Sequence, residues 1–211
     1  MKNTHYQIKV TLKNIRPPIW RRLLVPADCT MDALHCAIQT AMGWTGMHLY
    51  AFRTKNRWID IPDPDDMGND TAFGFGLTAQ PKREDSAKMR FCKVAKPGEK
   101  MAYEYDFGDG WEHAILIEKA IETDDISARK VVCLKGKRAC PPEDCGGPWG
   151  YQNLLEALAT PEDERDENSK EFVEWIGDDW DAEAFDLDDA NTALANWKPN
   201  QSSFMYESIC G

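Results

Sequence analysis

The segment YEYDFGDGWEHAILIEK, Tyr103 to Lys119, constrains the fold more tightly than any other part of the chain. Residues alternate on either side of Phe-Gly-Asp-Gly, and glycine accepts positive φ without steric cost, so the pattern is that of a β-hairpin. With the second strand starting near Gly110, Trp111, His113, Ile115 and Ile117 share one face, and Glu112, Leu116 and Glu118 share the other.

The same period of two marks Tyr6, Ile8, Val10 and Leu12 as a strand, and Ile19 to Val25 as a second strand between proline stops. Thr30 caps a helix in which Leu34, Ile38 and Ala41 or Met42 share a face, and Gly43 stands where a terminating glycine belongs. HLYAFRT and RWIDI read as short strands, with His48, Tyr50 and Phe52 on one face. Residues 62 to 80 are rich in Pro, Asp, Asn and Gly and read as a long loop, part of an insertion over about residues 62–90.

Helical spacing then takes over. Tyr151, Leu154, Leu155 and Leu158 form one helix, SKEFVEWIG a second, and Asp186 caps a third in which Ala190, Leu194 and Trp197 recur. Strands in the first two-thirds and helices in the last third indicate an α+β fold, with helices packed on an antiparallel or mixed sheet. A single domain over residues 1–198 and a tail over 199–211 are expected.

The net charge of −11 is unevenly spread. Residues 143–191 hold seventeen Asp and Glu against Arg165 and Lys170, a local charge of −15, which leaves the remainder at +4. The acidic helical part disfavours phosphate backbones and suits a basic protein partner. No apolar run reaches transmembrane length, and the seven scattered cysteines suit reduced thiols, so the expected location is cytoplasmic with no membrane contact.

Two stretches can carry chemistry. In the hairpin, Asp106 and Asp109 flank the turn, where carboxylates commonly accept from nearby backbone N–H groups, and Asp109 with His113 can form a carboxylate–imidazole pair. His113 also fits a hydrogen-bonded core position, being on the apolar face. In ACPPEDCGGPWGY, Pro141 and Pro142 force an extended backbone, Glu143 and Asp144 end it, and Gly146 and Gly147 permit a sharp reversal. This corner either presents carboxylates and N–H groups to a ligand or docks the helices on the sheet. Cys133, Cys140 and Cys145 with His113 offer a zinc set, but C-x6-C-x4-C lacks the paired knuckles that mark such sites, and packed thiols fit better. Phosphate-loop, H-E-x-x-H, G-x-S-x-G and dinucleotide signatures are missing from the sequence.

PPIWRRLLVP, LHCAIQTAMGWTGMHLYAF, YEYDFGDGWEHAILIE, CPPEDCGGPWGYQNLLEAL and FDLDDANTAL occur in an order that resembles the plasmid pRiA4b ORF-3-like family, also called MM3350-like. The resemblance implies a single α+β domain, often encoded near plasmid or transposon genes, and carries no established activity. A resolvase label borne by some members finds no clustered arginines here. Positions matching the family's motifs are Trp20, Arg21, His48, Asp106, Gly108, Asp109, Trp111, His113, Pro142, Glu143, Asp144, Gly146, Gly147 and Tyr151. The chain departs from the family pattern at PEDERDEN, where many members carry histidine, and at Ala182, where they carry proline.

Three functional readings follow, in this order. The first is a binding or interaction module. The second is a metal-dependent hydrolase of a phosphorylated or nucleotide substrate, with Asp109, His113, Glu143 and Asp144 as ligands or acid–base groups, and His48, Asp106, Trp111, Gly146, Gly147 and Tyr151 around the ligand. The third is nucleic-acid binding through the basic segment Arg83 to Lys100, where the alternating charges also fit a solvated strand face. The sequence names no cofactor, and a divalent metal is the one that its acids and histidine admit.

Overall fold

In the computed structural model, which describes residues 3–62, 82–123, 130–177 and 180–198, the alternating runs become strands of one sheet. These are β1 (Asn3–Leu12), β2 (Trp20–Pro26), β3 (Tyr50–Arg53), β4 (Arg57–Asp60), β5 (Lys82–Asp85), β6 (Lys100–Tyr105), β7 (Trp111–Thr123) and β8 (Val132–Lys137). Their spatial order is β5-β4-β3-β6-β7-β1-β2-β8. Neighbours run antiparallel except β4 and β5, which are parallel. The predicted hairpin is β6–β7, with Tyr103 opposite His113 and Tyr105 opposite Trp111.

One sheet face is the core. Ile8, Val10, Leu23, Val25, Tyr103, Tyr105, Trp111, Ile115 and Ile117 are all buried there. The other face is laced with charge: Glu118 accepts from Gln7 and Arg22, Lys13 pairs with Glu112, and Arg53 pairs with Glu104. This division follows from a pleat that sends successive side chains to opposite sides.

Helix α1 (Met31–Met42) closes over the apolar face. Its ends are as the sequence predicts: the Thr30 side chain accepts from the Ala33 N–H, and Gly43 terminates it at φ 88°. Several buried polar groups beneath it are paired. Tyr103 OH meets His35 Nδ1 at 2.7 Å and accepts from Gln39 Nε2 at 2.7 Å, while Tyr50 OH donates to Asp32 at 2.6 Å. A short α2 (Phe91–Val94) follows β5. Helices α3 (Gly147–Ala159) and α4 (Glu167–Ile176) pack on each other, and α5 (Leu187–Leu194) packs on α1 and β8. The fold is therefore α+β with a mixed eight-stranded sheet. No described helix is long and apolar enough to cross a membrane.

Several details differ from the sequence reading. Trp197 lies beyond α5 rather than in its last turn, yet it is buried and its Nε1 donates to the Ala33 carbonyl at 2.7 Å, so it pins the chain to α1 after the helix has ended. The basic segment from Arg83 to Lys100 is not one strand face. It divides into β5, α2 and the start of β6, with Arg83 paired to Asp60 and Lys88 to Asp85. Most of the long loop and the whole of the tail lie outside the described residues; within the insertion expected over 62–90, residues 82–85 are an edge strand.

Candidate functional site

Three segments converge at the sheet end where the hairpin turns. They are the connection after α1, the turn between β6 and β7, and the corner that leads into α3. Glu143 is the fastener: one carboxylate oxygen accepts from Tyr105 OH at 2.6 Å, and the other accepts from the Thr45 N–H at 2.9 Å. Trp44 Nε1 donates to the Pro141 carbonyl at 2.8 Å, and the Asp106 N–H donates to the Leu49 carbonyl at 2.8 Å. The Gly147 Cα lies against the Asp109 backbone so closely that a Cβ there would overlap its carbonyl oxygen. The corner thus folds back onto the hairpin.

This convergence places His48, Asp106 and Asp144 together. One ligating atom from each lies within 4.8 Å of the other two, and among the described residues this is the group of His, Cys, Asp and Glu that comes into such mutual reach. His48 Nδ1 is 3.7 Å from Asp106 Oδ2, and its Nε2 is 3.2 Å from Asp144 Oδ1. Asp106 Oδ1 accepts from the Gly108 and Asp109 N–H groups at 2.9 and 3.3 Å. The turn therefore holds one oxygen and leaves the other facing His48. Both carboxylate residues sit in the left-handed region, Asp106 at φ 55° and Asp144 at φ 59°. Such backbone is uncommon outside glycine and gathers at functional sites, although Asp tolerates it better than most residues.

The remaining candidates separate by depth. Glu143 is spent on holding the corner. Trp111 and His113 are core residues, and His113 is 0 % exposed, with Trp44 edge-on at 5.5 Å and Tyr103 at 5.1 Å. Both His113 ring nitrogens are buried without a hydrogen-bond partner, as is Asp109 Oδ2, so of the two readings the sequence allows for His113 the core position holds and the pair with Asp109 is not formed. The reason is register: the inward face of β7 begins at Trp111, and His113 continues it under Trp44 while Asp109 stays in the turn. Burial lowers the His113 pKa to about 4, the neighbouring backbone of Tyr103 and Trp111 offsetting only part of the shift. Gly146 and Gly147 turn the chain into α3 at φ 88° and 69°. Tyr151 is buried on that helix, with its hydroxyl unpartnered and its ring edge-on to Trp180 at 6.2 Å.

The cysteine set does not assemble. The six described cysteines are free. Cys140 Sγ sits 3.1 Å from the Met42 sulfur and 3.6 Å from Arg21 Nη2, while Cys133 Sγ lies 3.8 Å from the Lys135 carbonyl. Burial pushes the Cys145 thiol up to about 12, with the Asp109 charge acting in the same direction. Such a thiol is a poor nucleophile at neutral pH.

Sequence reasoning passed over Tyr105, Trp44 and Thr45, the residues that hold the corner. Tyr105 was legible as an inward-facing residue, since it alternates with Tyr103. That its hydroxyl reaches a carboxylate 38 residues later depends on tertiary closure, for which the local pattern holds no signal. Burial, and then the hydrogen bond to Glu143 and its charge, hold the Tyr105 phenol well above its usual range, so it remains a donor.

A family model described as plasmid pRiA4b ORF-3-like protein matches residues 4–189. The chain is 36% identical over 189 residues to the uncharacterized protein y4hQ of Sinorhizobium fredii (strain NBRC 101917 / NGR234), covering 89% of each chain. It is also similar to the crystal structure of MM3350, a protein of unknown function from Methanosarcina mazei Go1, with a TM-score of 0.70 and 32% identity over 90% of this chain and 97% of that one.

Proposed function

The chain belongs to the plasmid pRiA4b ORF-3-like family, and from that premise we propose that it is a binding module organised around a divalent cation held by His48, Asp106 and Asp144. The observation that carries this reading is the mutual reach of their three ligating atoms, within 4.8 Å. Ligands at about 2.1 Å from a tetrahedral metal lie roughly 3.4 Å apart, so closing the site takes a movement of about an ångström. Asp144, with its side chain 71% exposed, is the member free to make it. One imidazole and two carboxylates suit Zn2+ or Mn2+ better than Ca2+, which prefers an all-oxygen shell.

The surroundings support a binding role. Three of the eight exposed large apolar side chains among the described residues adjoin these ligands in sequence, Met47 and Leu49 flanking His48 and Phe107 following Asp106, and a fourth, Trp149, lies in the first turn of α3, the helix that the Asp144 corner leads into. Exposed apolar side chains next to polar ligands are the usual composition of a recognition site. A cytoplasmic location belongs to the same reading and rests on the cysteine usage.

Elemental analysis of the untagged protein, with Zn2+ and Mn2+ titrations by calorimetry, tests the proposal. One equivalent of metal is expected in the parent chain, with loss of binding in His48→Ala and Asp106→Asn and retention in His113→Leu. If no stoichiometric metal binds the parent chain, or if binding survives both ligand substitutions, the reading fails. A hydrolytic use of the same cation is the second reading, favoured by the exposure of Asp144, which leaves coordination positions to water. Metal-dependent cleavage of a phosphate ester that disappears in Asp106→Asn would establish it.

A further inference from the structure

Arg21 is 3 % exposed, yet among the described residues no carboxylate lies within ion-pairing distance of it. Its Nε donates to the Ala41 carbonyl at 2.9 Å, and Nη1 donates to the Trp20 and Lys137 carbonyls at 3.0 and 3.1 Å. Nη2 has only the Cys140 sulfur, at 3.6 Å. A guanidinium carries five N–H donors, so the oxygen acceptors satisfy three, a sulfur weakly takes a fourth, and the fifth is left over. Charge is also under-compensated. Ala41 is in the last turn of α1, whose carbonyl end offers roughly half a negative charge, and the other acceptors are neutral. A buried cation in that state calls for a counter-charge.

Arg21 borders a groove. Arg21 and Cys140 line a cavity of about 480 Å³ between the end of α1 and α5, with Met42, Trp180 and Phe185 as its apolar walls. Phe185 lies 4.1 Å from the guanidinium carbon, and Ala139, Ala190 and Ala193 keep the space open. Asp186 and Asp189 stand on the α5 side. They disfavour a doubly charged anion more than a single carboxylate held by Arg21.

We infer that this groove is a binding site for a small organic monocarboxylate, its carboxylate received by Arg21 Nη2 and its apolar body lying against Phe185 and Trp180. The site shares no residue with the His48 cluster and does not depend on a metal.

The test uses phenylacetate as probe, with 2-phenylethanol and phenyl phosphate as neutral and dianionic controls, followed by two-dimensional NMR of the intact chain. Saturable binding of phenylacetate at about 1 mM or tighter is expected for a ligand of this size, with shifts at the Trp180 indole and both controls at least about tenfold weaker. Because Arg21→Gln can fail to fold, the groove is also filled from its solvent side with Ala193→Phe, which is expected to weaken phenylacetate at least about tenfold. The proposal is overturned if phenylacetate does not saturate, if 2-phenylethanol or phenyl phosphate binds equally well, or if folded Ala193→Phe binds as the parent does.

Discussion

At the scale of single residues, Gly147 shows how little room the corner has. Its φ of 69° disfavours a side chain, and a Cβ would run into the Asp109 carbonyl, which is backbone and cannot swing aside. Gly147→Ala is expected to cost about 3 kcal/mol or more in urea unfolding, and a change below about 1 kcal/mol would show that the corner is looser than described. Residue types with distinctive backbone needs were legible in the sequence for this reason: the paired glycines and the aspartates of the turn announce reversals. The role of each acid was less legible. Asp109 and His113 look like a pair on paper, but the pleat sends the imidazole under Trp44, and His48 proves to be the histidine that meets carboxylates. His48 was legible as a strand-end residue on the face of Tyr50, whereas its nearness to Asp144 depends on how a distant corner docks.

At the scale of elements, the corner is held by the two hydrogen bonds of one carboxylate, which makes Glu143→Ala informative. It leaves Tyr105 OH and the Thr45 N–H without their acceptor, a loss of about 1–3 kcal/mol. The Thr45 amide should then exchange with solvent roughly ten- to hundredfold faster, while amides in β1 keep their protection. Unchanged exchange at Thr45 would mean that Glu143 does not fasten the corner. Elements with a cap and a periodic face were readable in advance: α1 between Thr30 and Gly43, α5 from Asp186, and the β6–β7 hairpin. Those that went unread lack both signals. The residues of β5 are Lys-Arg-Glu-Asp, and its place comes from parallel pairing with β4. In β8, Val132 and Leu134 are exposed while Cys133 is buried, so hydrophobicity and inward direction run out of phase.

For the molecule as a whole, the response to acid follows from its buried histidines. Burial lowers the pKa of His35 to about 3 and that of His113 to about 4, whereas in the unfolded chain both sit near the usual 6.5. The unfolded state therefore takes up protons first as pH falls, and stability present at pH 7 is lost progressively below about pH 6.5, by up to about 5 kcal/mol for the two together at about pH 4.5. Glu112 and Glu118, held low chiefly by hydrogen bonds from Lys13 and Arg22, act in the same direction but only below the usual carboxylate range. Urea midpoints measured between about pH 7 and pH 4.5 should fall steadily, and less steeply in His113→Leu; a flat profile would contradict the neutral burial of these rings. The place of β1 bears on how the protein is made. It lies between β7 and β2, so one of its two neighbours comes from residues 111–123. A nascent chain emerging from the ribosome holds β1 against β2 alone, with a bare and partly apolar edge, until the chain beyond Pro26 has been synthesised as far as Trp111–Thr123. During that interval the edge is open to pairing with another chain, and slow elongation before residue 111 would lengthen the exposure.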